Sequence, residues 1–248
     1  MKTRGNEIDL ATWTVAILAG GLATRLRPAT EKTPKALLRV AGEPFLVHQV
    51  RLLHSHGLRK IVLCVGYLGE MIKATLGDGS NFGVQIAYSF DGATLLGTGG
   101  ALKRALPMLG ERFLVIYGDS YMPVDYSTIV EAFVLSGKPA LMAVLENQDR
   151  WDTSNVCFES GEIRRYDKKL PTSEMRHIDY GIAVLNAAVF APYPNNVPFD
   201  LADVYSHLVS EKQIAAYEVN ERFYEIGSRE GLAELDSLLR GKPSAILS

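Results

Sequence analysis

Gly20, Gly21, Arg25, Arg27, Lys32 and Lys35 follow directly on an apolar run, Thr14 to Ala19. Glycines let a backbone come close to a ligand and leave its N–H groups bare. Arginine grips phosphate oxygens with two donors at once, and lysine adds a point charge. These residue types, in this order after a buried strand, suit a polyphosphate. Asp119 is the complementary signal. It follows a second apolar run, Phe113 to Tyr117, and Gly118, so its carboxylate projects from a strand end toward the same crevice. Opposite a polyphosphate loop such a carboxylate reads as a magnesium ligand, because Mg2+ takes one or two carboxylates plus phosphate oxygens. Two familiar phosphate loops are excluded. No Gly-x4-Gly-Lys-Ser/Thr follows any strand, and in Gly97-Thr98-Gly99-Gly100-Ala101-Leu102 a leucine stands where the dinucleotide fingerprint needs a small residue.

The elements that position these residues alternate along the chain. Apolar runs at residues 14–19, 60–65, 113–117 and 140–145 read as buried strands, and 85–90 alternates as a strand does. Leu46, Val50 and Leu53 recur at helical spacing, and Gly57 stops that helix. Residues 100–109 read as a short helix broken near Pro107. A helix follows at Ser127 to Gly137, with Thr128 and Glu131 as a capping box. Strands apolar throughout and alternating with helices imply a mostly parallel sheet covered on both faces. In such a sheet ligands bind beyond the carboxyl ends of the strands, which here are Ala19-Gly20-Gly21, Gly66-Tyr67 and Gly118-Asp119. The second half is richer in strands: a hairpin around Ser160-Gly161-Glu162, a strand at 178–186, a helix capped by Asp200, short strands, and a closing helix capped by Ser228. The expected architecture is one α/β domain over residues 1–248. About residues 14–145 form the alternating core, and about 150–230 a β-rich insertion.

The composition fits this. At 47% hydrophobic and 22% charged, the chain can bury a sizeable core. A net charge of -2 gives no global case for nucleic acid or an anionic membrane. No apolar stretch approaches the roughly 18 residues of a membrane span, and Met1 to Trp13 lacks the apolar core of a signal peptide. Cys64 and Cys157 lie far apart in strand-like runs and read as reduced core thiols of a cytoplasmic protein. His48, His54, His56, His177 and His207 match no metal or triad spacing.

Leu18-Ala19-Gly20-Gly21-x-x-Thr24-Arg25-Leu26-x-Pro28, followed by Thr33-Pro34-Lys35-Ala36-Leu37-Leu38, closely resembles the signature of the sugar-1-phosphate nucleotidyltransferases. The resemblance continues through Gly118-Asp119-Ser120, Tyr166-Asp167-Lys168, Asp179-Tyr180-Gly181 and Tyr224-Glu225-Ile226-Gly227-Ser228, from Val15 to Leu238. It implies a Rossmann-like nucleotide-diphospho-sugar transferase fold. By position it puts Leu18, Ala19, Gly20, Gly21 and Thr24 on the nucleotide, with Gly66, Gly97, Thr98 and Gly99. Arg25 and Lys35 become the catalytic cations on the triphosphate. Asp167, Lys168, Tyr180 and Gly181 fall on the sugar phosphate, and Asp119 and Glu225 on Mg2+. Most of the family has Asp where this chain has Glu225, one methylene longer. The chain stops where the fold stops, so the left-handed β-helix acyltransferase domain of some relatives is not expected.

The implied reaction joins a nucleoside triphosphate and a sugar 1-phosphate to give a nucleotide sugar and pyrophosphate, for cell-surface polysaccharide. The partners are those two substrates, with no nucleic acid and no membrane; a homo-oligomer is compatible. Tyr88 to Leu102 lies where the family reads the base, and its glycines are expected to admit a nucleobase. That segment, with Tyr117 to Tyr121 and Asp179 to Gly181, is most similar to D-glycero-α-D-manno-heptose 1-phosphate guanylyltransferases. Leu76 to Gly83 is similar to N-acetylmuramate 1-phosphate uridylyltransferases. GTP with a manno-configured heptose or hexose phosphate is the favoured pair, and UTP the alternative. A non-catalytic sensor of sugar nucleotides is the alternative of another class.

Overall fold

The strands alternate strictly between two cores. In β1 (Thr14–Leu18), Val15 and Ile17 enter one core and Ala16 the other. In β4 (Lys60–Val65), Ile61, Leu63 and Val65 face the first, Val62 and Cys64 the second. Each fully buried Val, Leu or Ile contributes about 1.5–3 kcal/mol, so a one-residue slip in register would invert a large sum. A computed structural model describes residues 8–22, 26, 28 and 30–241.

Further elements are β2 (Arg39–Val40), β3 (Glu43–Pro44), α1 (Phe45–Ser55), α2 (Gly69–Leu76), β5 (Gln85–Phe90), α3 (Gly97–Leu109), β6 (Arg112–Tyr117), β7 (Ser120–Tyr121), α4 (Tyr126–Ser136) and β8 (Ala140–Glu146). The second half adds β9 (Val156–Glu159), β10 (Glu162–Tyr166), β11 (His177–Asn186), α5 (Leu201–Ser210), β12 (Ile214–Val219), β13 (Tyr224–Glu225) and α6 (Arg229–Gly241). Nine strands form one sheet. Its path is β10-β9-β11-β6-β1-β4-β5, and β8 joins at β11 and carries β12. The pairs β1–β4, β1–β6, β4–β5 and β8–β12 are parallel; β11 is antiparallel to β6, β8 and β9. Helices α1, α2 and α4 cover one face, and α3 and α5 the other. Helix α6 closes a small third core with Val40, Phe45, Tyr121 and Ile226.

Two local expectations change, and one helix appears that the sequence analysis does not include. Helix α3 starts at Gly97 and runs through Pro107 to Leu109. A proline that close to the end forfeits little of the helix's hydrogen bonding. Helix α4 begins at Tyr126, capped by Asp125, which accepts from Ser127 N, and Thr128 donates its hydroxyl proton to the Asp125 carbonyl. Helix α2, with Ile72 and Leu76 as its buried pair, was too short for periodicity to announce. The hairpin, the strands and the caps at Asp200 and Ser228 lie where the sequence puts them.

Candidate active site

The ends of β1, β4 and β6 meet at glycines because nothing larger fits. A Cβ on Gly118 would stand 2.9 Å from the Leu18 carbonyl oxygen and 2.9 Å from the Ala19 Cβ. One on Gly66 would stand 2.8 Å from the Gly20 oxygen and 2.6 Å from the Leu95 side chain. The crevice above these ends is a cavity of about 390 Å3. It is lined by Leu18 to Gly21 after β1, by Tyr117, Gly118 and Asp119 at the end of β6, and by Gly97 and Thr98 at the start of α3. Gly66 packs behind Gly20. Thr24 and Arg25, together with Arg27, lie outside the described residues.

Lys35 sits on a short 3-10 turn, Lys35–Leu37, after Pro34. Its Nζ donates to Asp119 Oδ2 at 2.6 Å, with the two side chains 17% and 37% exposed. Strand β13 pairs antiparallel with β7, setting Glu225 opposite Ser120, and Ile226 N donates to the Asp119 carbonyl at 3.0 Å. A Cβ on Gly227 would lie 3.4 Å from Lys35 Nζ and 3.7 Å from Glu225 Oε2, so these charged groups face one small volume. Among the described residues no group of three His, Cys, Asp or Glu side chains is placed to hold a metal. Two carboxylates suit Mg2+ that keeps water and takes its other oxygens from phosphate. The donor set therefore fits an ion that comes with a polyphosphate.

Asp91, which belongs to none of the sequence motifs assigned a role, lines the cavity and is 6% exposed. Its one signal was position, a carboxylate directly after a parallel strand. Its Oδ2 accepts from Leu96 N at 3.1 Å, and Arg104 donates to the carbonyls of Phe90 and Asp91. Burial pushes the Asp91 carboxyl up, opposed by the Leu96 N–H and by Arg104. Cys64 also lines the cavity, and burial pushes its thiol up to about 12, so it is an unreactive wall.

Gly97, Thr98 and Gly99 form the first turn of α3, locked to the first turn of α5. Gly99 N and Gly100 N both donate to the Phe199 carbonyl, and Phe199 N donates to Leu96 O. The Thr98 hydroxyl donates to Asp200 Oδ1 at 2.9 Å and accepts from Leu201 N at 2.8 Å. The glycines are needed by this clamp. A Cβ on Gly97 would lie 2.6 Å from the Phe199 oxygen, and one on Gly99 2.3 Å from the Phe199 ring.

On the other side of Tyr117, Lys168 Nζ lies 5.3 Å from the centre of its ring. Burial pushes the Asp179 carboxyl up, opposed by Lys168 and by the N–H of Gly181, which donates at 3.0 Å. Gly181 has φ +93°, inside the stretch of β11 where the register with β8 shifts. A Cβ there would meet Met122 and Tyr117, both at 3.3 Å. Asp167 closes its own turn: its Oδ1 accepts from Leu170 N and Lys169 N, which hold its carboxyl low. Tyr180 points into the core and packs edge-on against Phe223. Asp179, the first residue of the Asp179-Tyr180-Gly181 motif, is thus a buried carboxyl that faces the Lys168 charge.

A mostly parallel sheet with helices on both faces and a crevice at its carboxyl ends is the Rossmann-like fold of nucleotide-diphospho-sugar transferases. The profile of the nucleotidyl transferase family matches residues 14–233, and the chain belongs to that family. It is 30% identical over 224 residues to a UTP–glucose-1-phosphate uridylyltransferase of Synechocystis, covering 84% of this chain and 58% of that protein. It is 45% identical over 112 residues to an N-acetylmuramate alpha-1-phosphate uridylyltransferase of Neisseria meningitidis, 45% of this chain and 48% of that one. A mannose-1-phosphate guanylyltransferase catalytic subunit beta of Drosophila melanogaster is 27% identical over 216 residues, 85% of this chain and 58% of its own. The chain thus spans about half to three-fifths of these relatives' length. Among solved structures, HddC from Yersinia pseudotuberculosis complexed with GMP-PN matches in fold, with TM-score 0.77, 23% identity and coverage of 92% of this chain and 99% of that one. No helix of the described residues is long and apolar enough to cross a membrane.

Proposed function

We propose that the chain transfers a nucleotidyl group from a nucleoside triphosphate to a sugar 1-phosphate and releases pyrophosphate. The observation that carries this reading is the Lys35–Asp119 pair lining the cavity, with Glu225 brought beside it by the β7–β13 ladder. An oxygen of the sugar phosphate attacks the α-phosphorus; the O–P bond forms as the bond to the bridging oxygen breaks, and that oxygen leaves with pyrophosphate. The nucleophile is already anionic near neutral pH, since the second phosphate pKa is about 6. A general base is therefore unnecessary, and none of the five histidines lines the cavity. The obstacle is bringing polyanions together: a like-charge pair at 4 Å costs about 1 kcal/mol in water and about 4 at an effective dielectric of 20. Lys35 offsets this and follows the charge that develops on the leaving group. Asp119 and Glu225 would hold Mg2+, which when bound neutralises phosphate charge. In this reading residues 14–145 bind the nucleotide and 150–230 the sugar phosphate.

Lys168 belongs to the acceptor side, above Tyr117 and beside Asp179. Lys168→Ala is expected to raise the KM for sugar phosphate about tenfold and leave kcat within about threefold. An equal rise in the KM for the triphosphate, together with a lower melting temperature, would make its role structural.

The base favoured is guanine, with a heptose or mannose-like phosphate. Asp91 supports this, because a carboxylate only accepts hydrogen bonds and guanine presents two adjacent donors, N1–H and the N2 amino group. Uracil offers one donor between two carbonyls. GTP should exceed UTP and CTP by at least about tenfold in kcat/KM, a difference of about 1.4 kcal/mol. Asp91→Asn, which adds a donor, should narrow the ratio. The Neisseria relative favours UTP with N-acetylmuramate 1-phosphate as the second reading. Pyrophosphate release across four triphosphates and several sugar 1-phosphates decides. A preference for UTP overturns the guanine reading, and no release with any pair overturns transfer itself.

A further inference from the structure

Gln49 lies in the middle of α1 and is 1% exposed. Its Nε2 donates to two backbone carbonyls, those of Tyr117 and Ser120, each at 2.8 Å. These two carbonyls flank the Gly118–Asp119 turn. Both are acceptors, so the amide nitrogen must face them. The Oε1 of Gln49 is consequently buried with no hydrogen-bond partner. Neighbouring positions of α1 hold Leu46, Val50 and Leu53 in the main core. An apolar residue at position 49 would pack as they do but would take the donor away from both carbonyls. Burying an amide with half its hydrogen-bonding capacity unmet is unfavourable, and what offsets it is a pair of donors on the two carbonyls that flank Gly118 and Asp119.

We propose that Gln49 is a positioning residue that sets the Asp119 carboxylate for phosphate chemistry. The turn is tied on two other sides: Gly118 N donates to Leu18 O at 2.9 Å, and Ile226 N donates to Asp119 O at 3.0 Å. Gln49 supplies the third tie, from the helix behind. It fixes where the carboxylate stands relative to Lys35, 2.6 Å away. A displacement of about 1 Å caused far from the reacting atoms can lower turnover about 10²-fold. The kinetic half of this inference rests on the nucleotidyl-transfer reading; the structural half does not.

Gln49→Met keeps the length of the side chain and removes both donors. The full chain should then show exchange of the Gly118 and Ile226 amides at least about tenfold faster by hydrogen–deuterium exchange, because the turn they anchor is loosened. Its kcat for pyrophosphate release should fall about 10²-fold, with the KM for triphosphate within about threefold. The melting temperature should fall by less than about 10 °C, since two carbonyls lose their donor while removal of the orphaned oxygen offsets part of that loss. Wild-type exchange at both amides overturns the inference, as does faster exchange spread over the whole sheet with kcat unchanged. If Gln49→Met does not fold, Gln49→Asn, whose amide is a methylene short of the carbonyls, carries the same measurements. If the wild type releases no pyrophosphate with any substrate pair, the transfer reading fails while the exchange data still decide the tie.

Discussion

Asp119→Asn is expected to lower turnover by about 10²-fold or more, the usual cost of losing one electrostatic stabiliser in a preorganised site. The substitution keeps the shape of the side chain and removes its charge. Two effects then act together. In the proposed metal role the cation loses its ligand charge, and Lys35 loses the charged partner it meets at 2.6 Å. Stability should change little, because both side chains are partly exposed and such pairs contribute about 0–1 kcal/mol. The signature is therefore a collapse of kcat with an almost unmoved melting curve. Glu225 is the paired case. Glu225→Asp should retain substantial activity and Glu225→Ala should not, because the β7–β13 ladder fixes the backbone and a methylene is the only difference in reach. Near wild-type turnover of Asp119→Asn in saturating Mg2+ would falsify the metal role.

Gly99→Val is expected to destabilise the fold by about 3 kcal/mol, roughly 6–12 °C in melting temperature for a domain of this size. From the sequence this glycine was expected to sit bare against a nucleobase, so that valine would weaken binding and spare the fold. The structure gives it another neighbour. Its Cβ would stand 2.3 and 2.4 Å from two carbons of the Phe199 ring and 3.1 Å from the Asp200 carbonyl carbon. The ring cannot swing away freely, because it stacks on Tyr193 with centroids 4.8 Å apart. Moving Phe199 also breaks the two bonds its carbonyl receives from Gly99 N and Gly100 N. An unchanged melting temperature with a raised KM for triphosphate would return the glycine to the ligand.

Several features were legible in the chain itself. Short apolar runs such as Ile61 to Val65, ended by a glycine, read as strands buried on both faces, because their length and β-branched content suit a strand. Asp200 and Ser228 cap helices through atoms two or three residues away. The hairpin turn follows from Ser160 and Gly161, both at positive φ. Glycines after β1 and β6 marked the crevice, since strand ends in a parallel sheet are where ligands bind. The signal for each of these lies within one short stretch of the chain.

What only tertiary structure decided are meetings between distant segments. Lys35 reaches Asp119 because β1 and β6 are neighbours in the sheet. Glu225 stands beside Ser120 because β13 returns to pair with β7. Asp91 enters the cavity because β5 lies parallel to β4, so its carboxyl end opens on the same side. The glycines of α3 answer to Phe199, and Gln49 to two carbonyls of the Asp119 turn. A side chain's partner across the sheet is set by strand order and by which face its pleat or helix turns inward. Those follow from burying every apolar face at once, and no local stretch of the chain carries that condition.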